Sequence, residues 1–133
     1  MAMTDNERRQ FFRIELDTPV QFRLIEEKTS KPLTNWMKGS TVDVGLGGVK
    51  IIAAMTDVEE EILVDKYLFI ELSFQLPGTP TTIAATANIA YFMHGATGTE
   101  KATITFGVSF VTIDFSLRDA LGEFIRQRID SPK

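Results

Sequence analysis

Two short stretches of this chain hold the residues best suited to specific chemistry. The first, Glu7 to Arg13, reads "ERRQFFR" and sets Arg8, Arg9 and Arg13 around Phe11 and Phe12. A guanidinium is planar, permanently charged and rich in donors. It grips phosphate through two parallel hydrogen bonds, stacks on flat rings and pairs with the O6 and N7 edge of guanine. The second, Asp43 to Ile51, reads "DVGLGGVKI", with Gly45, Gly47 and Gly48 close behind a carboxylate. Glycines there permit positive φ and close backbone approach, and exposed amides in such a turn face anions. Taken singly, each has a bland reading that is preferred: a solvated basic arm, and a turn that requires glycine.

Other chemistries lack a constellation. His94 is the only histidine, it falls in a glycine-rich stretch expected to be a loop, and the chain has no cysteine. Glu59, Glu60 and Glu61 carry the charge for a metal, but three successive residues cannot face one point on a helix or strand. No serine has the nucleophile-elbow context, and "GLGG" lacks dinucleotide-binding spacing. The expectation is a protein that is not an enzyme and has no metal and no cofactor. A net charge of −4 argues against duplex nucleic acid as a partner. It leaves room for one small anion, because clustered arginines act locally against the global sign. No apolar run approaches the ~20 residues of a membrane span, and the N-terminus lacks the apolar core of a signal peptide. No membrane insertion and a cytoplasmic location are therefore expected.

The elements that must position these residues follow from periodicity. At 133 residues, with 44% hydrophobic and 24% charged, the chain fits one domain over 1–133. Val20, Phe22 and Leu24 alternate with Gln21 and Arg23, a half-buried strand that Pro19 opens without losing a needed donor. Further strands are expected at Trp36–Val44, Val49–Ala53, Tyr67–Leu76, Thr82–Met93 and Lys101–Val111, with a polar loop over Glu26–Asn35. A turn is expected at Pro77–Pro80 and a loop over His94–Glu100; Thr56–Asp65 reads as either a helical turn or a loop. Six strands without helical crossovers favour antiparallel pairing in a barrel or sandwich. At the C-terminus, Leu117, Leu121, Phe124, Ile125 and Ile129 share one face at helical spacing. Ser116 is the expected N-cap, with Asp119 three residues on. The divisions are an arm over 1–13, a barrel over 14–113 and a helix over 114–130.

Both stretches together, in this order, resemble the signature of PilZ domains: R-x-x-x-R on an N-terminal arm, then D/N-x-S-x-x-G between two strands. Here they stand as Arg9-Gln-Phe-Phe-Arg13 and Asp43-Val-Gly45-Leu-Gly-Gly48. Trp36 ahead of the second motif, "ANIAYF", and the closing "TFGVSFVTIDFSLRDALGEFIRQR" extend the likeness over nearly the whole chain. The resemblance implies a mainly β fold: a six-stranded antiparallel split β-barrel with a C-terminal α-helix and a flexible N-terminal arm. It implies a bacterial receptor for the second messenger cyclic di-GMP. Arg9 and Arg13 would clamp the ligand, with Arg8 adding a phosphate or base contact. Asp43 would bind the guanine side or orient an arginine, and Gly48 would give the close-approach turn. Tyr91 is either a stacking residue or an ordinary strand aromatic. Phe11 and Phe12 would anchor the arm. Gly45 replaces the family's serine, so one hydroxyl contact is missing. The ordered arm would signal to a protein partner in motility, secretion or exopolysaccharide machinery. The alternative is a degenerate PilZ-like adaptor that does not bind nucleotide and acts through protein–protein contacts.

Overall fold

Alternation builds the wall of the fold. The computed structural model describes residues 13–54, 68–95 and 103–130. In β2 (Pro19–Glu26), Val20, Phe22 and Leu24 are buried, while Pro19 and Gln21 lie exposed. The same two-residue period runs through β5 (Leu68–Gln75), which buries Leu68, Ile70, Leu72 and Phe74. β3 (Met37–Val44), β4 (Gly48–Ala54), β6 (Thr82–Gly95) and β7 (Thr103–Ile113) complete a ring in the order β3-β2-β5-β6-β7-β4. β4 then pairs back to β3, and every pairing is antiparallel. Closure leaves the six strands no free edge. Inside, Phe22 meets Phe106 edge-on at 5.7 Å between ring centroids.

A short strand that the sequence did not announce, β1 (Ile14–Glu15), pairs with β3 beyond the point where β2 leaves it. The gap between β1 and β2 is bridged by one side chain. Thr41 of β3 is buried, and its hydroxyl accepts the Thr18 amide at 3.0 Å while donating to the Leu16 carbonyl. Around it, the Leu16 amide donates to the Val42 carbonyl at 3.1 Å and the Thr41 amide to the Thr18 carbonyl at 2.9 Å. The residues leading out of the arm are thus fastened to β3 before the barrel proper begins.

The helix α1 (Phe115–Asp130) packs against β6 and β1 and buries Leu121, Phe124 and Ile125, with Leu117 partly covered. Two expectations for it need correction. The N-cap is Asp114, not Ser116: the Asp114 carboxylate accepts the Ser116 amide at 3.0 Å, which satisfies a first-turn donor. Ile129 is 41% exposed, because the last turn reaches past the surface that covers the rest of the face.

Strand ends shift by one or two residues. His94 is paired with Ile104 and Gly95 with Thr103, so β6 runs into what read as a loop. β7 is described from Thr103 and continues to Ile113, past the expected end at Val111, while residues 96–102, with the expected start at Lys101, lie outside the described residues. The arm over 1–12 and the stretch 55–67, with Glu59 to Glu61, lie outside the described residues. Among the described residues, no helix is long and apolar enough to cross a membrane.

The bridge at Thr41 makes a stability prediction. Thr41→Val leaves the Thr18 amide and the Leu16 carbonyl without the hydroxyl, at a cost of about 1–3 kcal/mol in urea unfolding. Thr41→Ser, which keeps the hydroxyl, should lose less.

Candidate functional site

The strand register shifts at three places, and two of the shifts aim a side chain at solvent. Thr41 pairs with Ile51 and faces the core, so Asp43, two residues on, would be expected to do the same. Instead the register shifts between Thr41 and Asp43, with Val42 as the extra residue. Asp43 then pairs with Lys50 on the outer face, while Val44 returns to the core opposite Val49. In β6, Ile89 pairs with Val108, and a second shift before Tyr91 sets that residue opposite Gly107 on the outside. A bulge of this kind inserts one residue and reverses the side to which the following residues point.

The result is a row across four strands. Tyr91, Gly107, Lys50 and Asp43 stand side by side on β6, β7, β4 and β3. Three inter-strand steps of ~4.8 Å make the row about 14 Å long. At one end the Asp43 carboxylate is bracketed by cations. Arg13 Nε donates to Oδ1 at 2.5 Å, and Lys50 Nζ stands 3.6 Å from Oδ2. The Arg13 side chain is 42% exposed, so its pair with Asp43 is worth at most about 1 kcal/mol, and a better acceptor can displace it.

At the other end the Tyr91 ring lies down on Gly107. A Cβ added to Gly107 would come within 2.2 Å of ring atom Cε2, so only glycine lets the ring rest on the strand. Tyr91 is 44% exposed and presents its ring along the row. An aromatic surface at one end and two cations around a carboxylate at the other suit a ligand with a flat ring and a negative charge.

The turn between β3 and β4 frames the Asp43 end. The Gly45 amide donates to the Gly48 carbonyl at 2.9 Å, and the Gly47 carbonyl accepts the Phe110 amide at 2.8 Å. Gly48 is required by proximity: a Cβ there would lie 1.9 Å from the Val108 carbonyl oxygen. None of the turn's glycines uses the positive φ open to them, which among the described glycines occurs at Gly78 alone. Leu46 is buried, and a Cβ on Gly122 of α1 would touch its Cδ2 at 3.4 Å, so the helix seats the turn. Beside Asp43, away from Lys50, Glu15, Leu16, Asp17, Thr41, Val42 and Asp43 line an open hollow of about 520 Å³.

The PilZ domain family model matches residues 7–127. The chain belongs to the PilZ family. Among solved structures it is similar to the Bacillus subtilis inhibitor of motility MotI/DgrA, at 16% identity and a TM-score of 0.64 over 98% of this chain and 58% of that one. The Borreliella burgdorferi PlzA protein in complex with c-di-GMP matches at 9% identity and a TM-score of 0.60, over 95% of this chain and 55% of that one. The PilZ domain of Escherichia coli YcgR with c-di-GMP matches at 15% identity and a TM-score of 0.59, over 94% of this chain and 99% of that one. At these identities the likeness is one of fold. The chain spans little more than half the length of the first two proteins. No curated protein matches it in sequence.

Against the PilZ signature, Arg13, Asp43 and Tyr91 share one outer face, while Gly45 and Gly48 shape the turn beside it. Arg8 and Arg9 lie outside the described residues, as do Phe11 and Phe12. Trp36 lies elsewhere, just ahead of β3 and seven residues before Asp43, at the opposite end of that strand. There it stacks under the Arg23 guanidinium at 4.6 Å, and Arg23 pairs with Glu71 at 2.6 Å. Sequence reasoning missed Lys50 and Gly107. A signal existed for each: Lys50 is the only cation in the strand after the turn, and Gly107 interrupts an otherwise bulky strand.

Gly107→Ala should lift Tyr91 off the strand with little loss of stability, because the ring is half exposed. The check is the Tyr91 ring-proton shifts by NMR together with the melting temperature. Unchanged ring shifts would contradict this placement.

Proposed function

We propose that this PilZ domain is a non-catalytic receptor for cyclic di-GMP. The observation that carries the reading is the arginine of the first motif held against the carboxylate of the second, at 2.5 Å on an exposed face. The row ending on Tyr91 supports it, because a guanine ring needs a flat surface and a phosphodiester needs cations. The Borreliella and Escherichia structures with c-di-GMP support the ligand class.

In this account Arg9 and Arg13 clamp the ligand and Arg8 adds a phosphate or base contact. Arg13 exchanges its weak pair with Asp43 for a phosphate oxygen or a guanine edge. Asp43 either orients Arg13 or accepts from the guanine N–H groups. Gly48 lets the backbone pass close, and Tyr91 stacks. The arm over 1–13 orders as its clustered positive charge is neutralised. The surface made of arm and ligand is then read by a protein partner in motility, secretion or exopolysaccharide machinery in the bacterial cytoplasm. Duplex nucleic acid is not the partner, on the net charge of −4.

Gly45 supports a second reading. It carries no hydroxyl, and its amide is committed to the hairpin. A lost hydrogen bond to a charged group costs ~1.5–3 kcal/mol, about one to two decades of affinity. A domain weakened this far serves as an adaptor that acts through protein contacts alone.

Calorimetric titration with cyclic di-GMP separates the two. The receptor reading expects saturable heat that Arg9→Ala and Arg13→Ala each abolish. A gain of about one decade or more on Gly45→Ser would point instead to the degraded site of the second reading, and no gain on top of tight native binding would sink that reading. No heat at millimolar ligand from the native chain would leave the adaptor.

A further inference from the structure

The middle of the row is occupied by a residue that neither signature motif contains. Lys50 stands between Asp43 on one side and Gly107, under the Tyr91 ring, on the other. Its ammonium is 3.6 Å from Asp43 Oδ2, too far for a hydrogen bond, so that carboxylate does not take up its three donors. Its side chain is 31% exposed, low enough to be held along the sheet and open enough to meet a ligand. Arg13, by contrast, spends its Nε donor on Asp43.

The charges around Asp43 are unequal on its two sides. Toward β1 lies the hollow with Glu15 and Asp17, whose carboxylates repel an anion. Toward β4 lies Lys50, and beyond it the Tyr91 ring lies flat on Gly107, with no side chain of β7 between them. An anionic group held by Arg13 and drawn to the aromatic end must therefore pass over Lys50. The glycine beneath Tyr91 keeps the approach low, so a phosphate there lies near the ammonium.

We infer that Lys50 is a phosphate-binding residue of this face, supplying from β4 a charged contact at the centre of the row. The inference rests on the receptor reading above. It also gives that reading a local compensation: the hydroxyl missing at Gly45 would have been one neutral donor, and Lys50 is a charged one.

The test is titration of cyclic di-GMP into the full chain, native and with Lys50→Gln or Lys50→Arg, at low and high salt, with melting temperatures measured in parallel. The native chain binds, Lys50→Gln weakens binding about tenfold or more, and Lys50→Arg stays within about threefold of native. The affinity of Lys50→Gln also falls less steeply with salt, because one charge contact is gone. A residue that merely neutralised Asp43 would leave the salt dependence unchanged. If the native chain binds and Lys50→Gln binds equally well, or with the same salt dependence, the inference is overturned. If the native chain does not bind, the receptor reading itself falls first.

Discussion

The extra residue at Val42 is the constraint on which the rest of the site depends. It lets one strand satisfy two opposed demands within three residues. Thr41 turns inward to bridge β1 and β2 with its hydroxyl, and Asp43 turns outward to meet Arg13 and Lys50. Without the insertion Asp43 would share the face of Thr41, a carboxylate driven into a barrel packed with Phe22, Ile51 and Phe106. Burying an unpaired charge there costs far more than the surrounding contacts return. The bulge is therefore coupled to closure: the same strand seals the barrel through β4 and carries the carboxylate on its outer face.

Rigid and labile parts are divided along that strand. The turn after it is seated by Leu46 under α1 and by Gly48 against Val108, positions with little room to move. The pairs on the outer face are solvent-accessible and weak, as such ion pairs are. On the receptor reading, a ligand that arrives with phosphates competes only against those water-exposed pairs. Specificity then comes from the spacing of row members, which the strand register holds fixed.

Much of this was legible in the sequence, and the residues show why. Val20, Phe22 and Leu24 declared a strand because burial on one face imposes a period of two. Leu121, Phe124 and Ile125 declared a helix by the same logic at a period of 3.6. The two motifs pointed to a site because arginine and glycine are chosen for chemistry that few other residues perform. The bulges before Asp43 and Tyr91 were not legible, since a single inserted residue leaves composition and approximate alternation intact. The N-cap was misplaced by two residues because Asp114 and Ser116 are both good caps, and only the bond to the Ser116 amide decides between them. Lys50 was passed over because a lysine in an exposed strand position is ordinary until its neighbours across the sheet are known.

The central claim is that one outer face, running from Arg13 to Tyr91, receives cyclic di-GMP. The most direct measurement is an NMR titration of the isotopically labelled full chain with that ligand. The account predicts saturable shift changes concentrated at Arg13, Asp43, Lys50, Gly107 and Tyr91, with Trp36 and Glu71 unmoved. Saturable changes centred on Trp36 and absent from the row, or no changes at all, would contradict it.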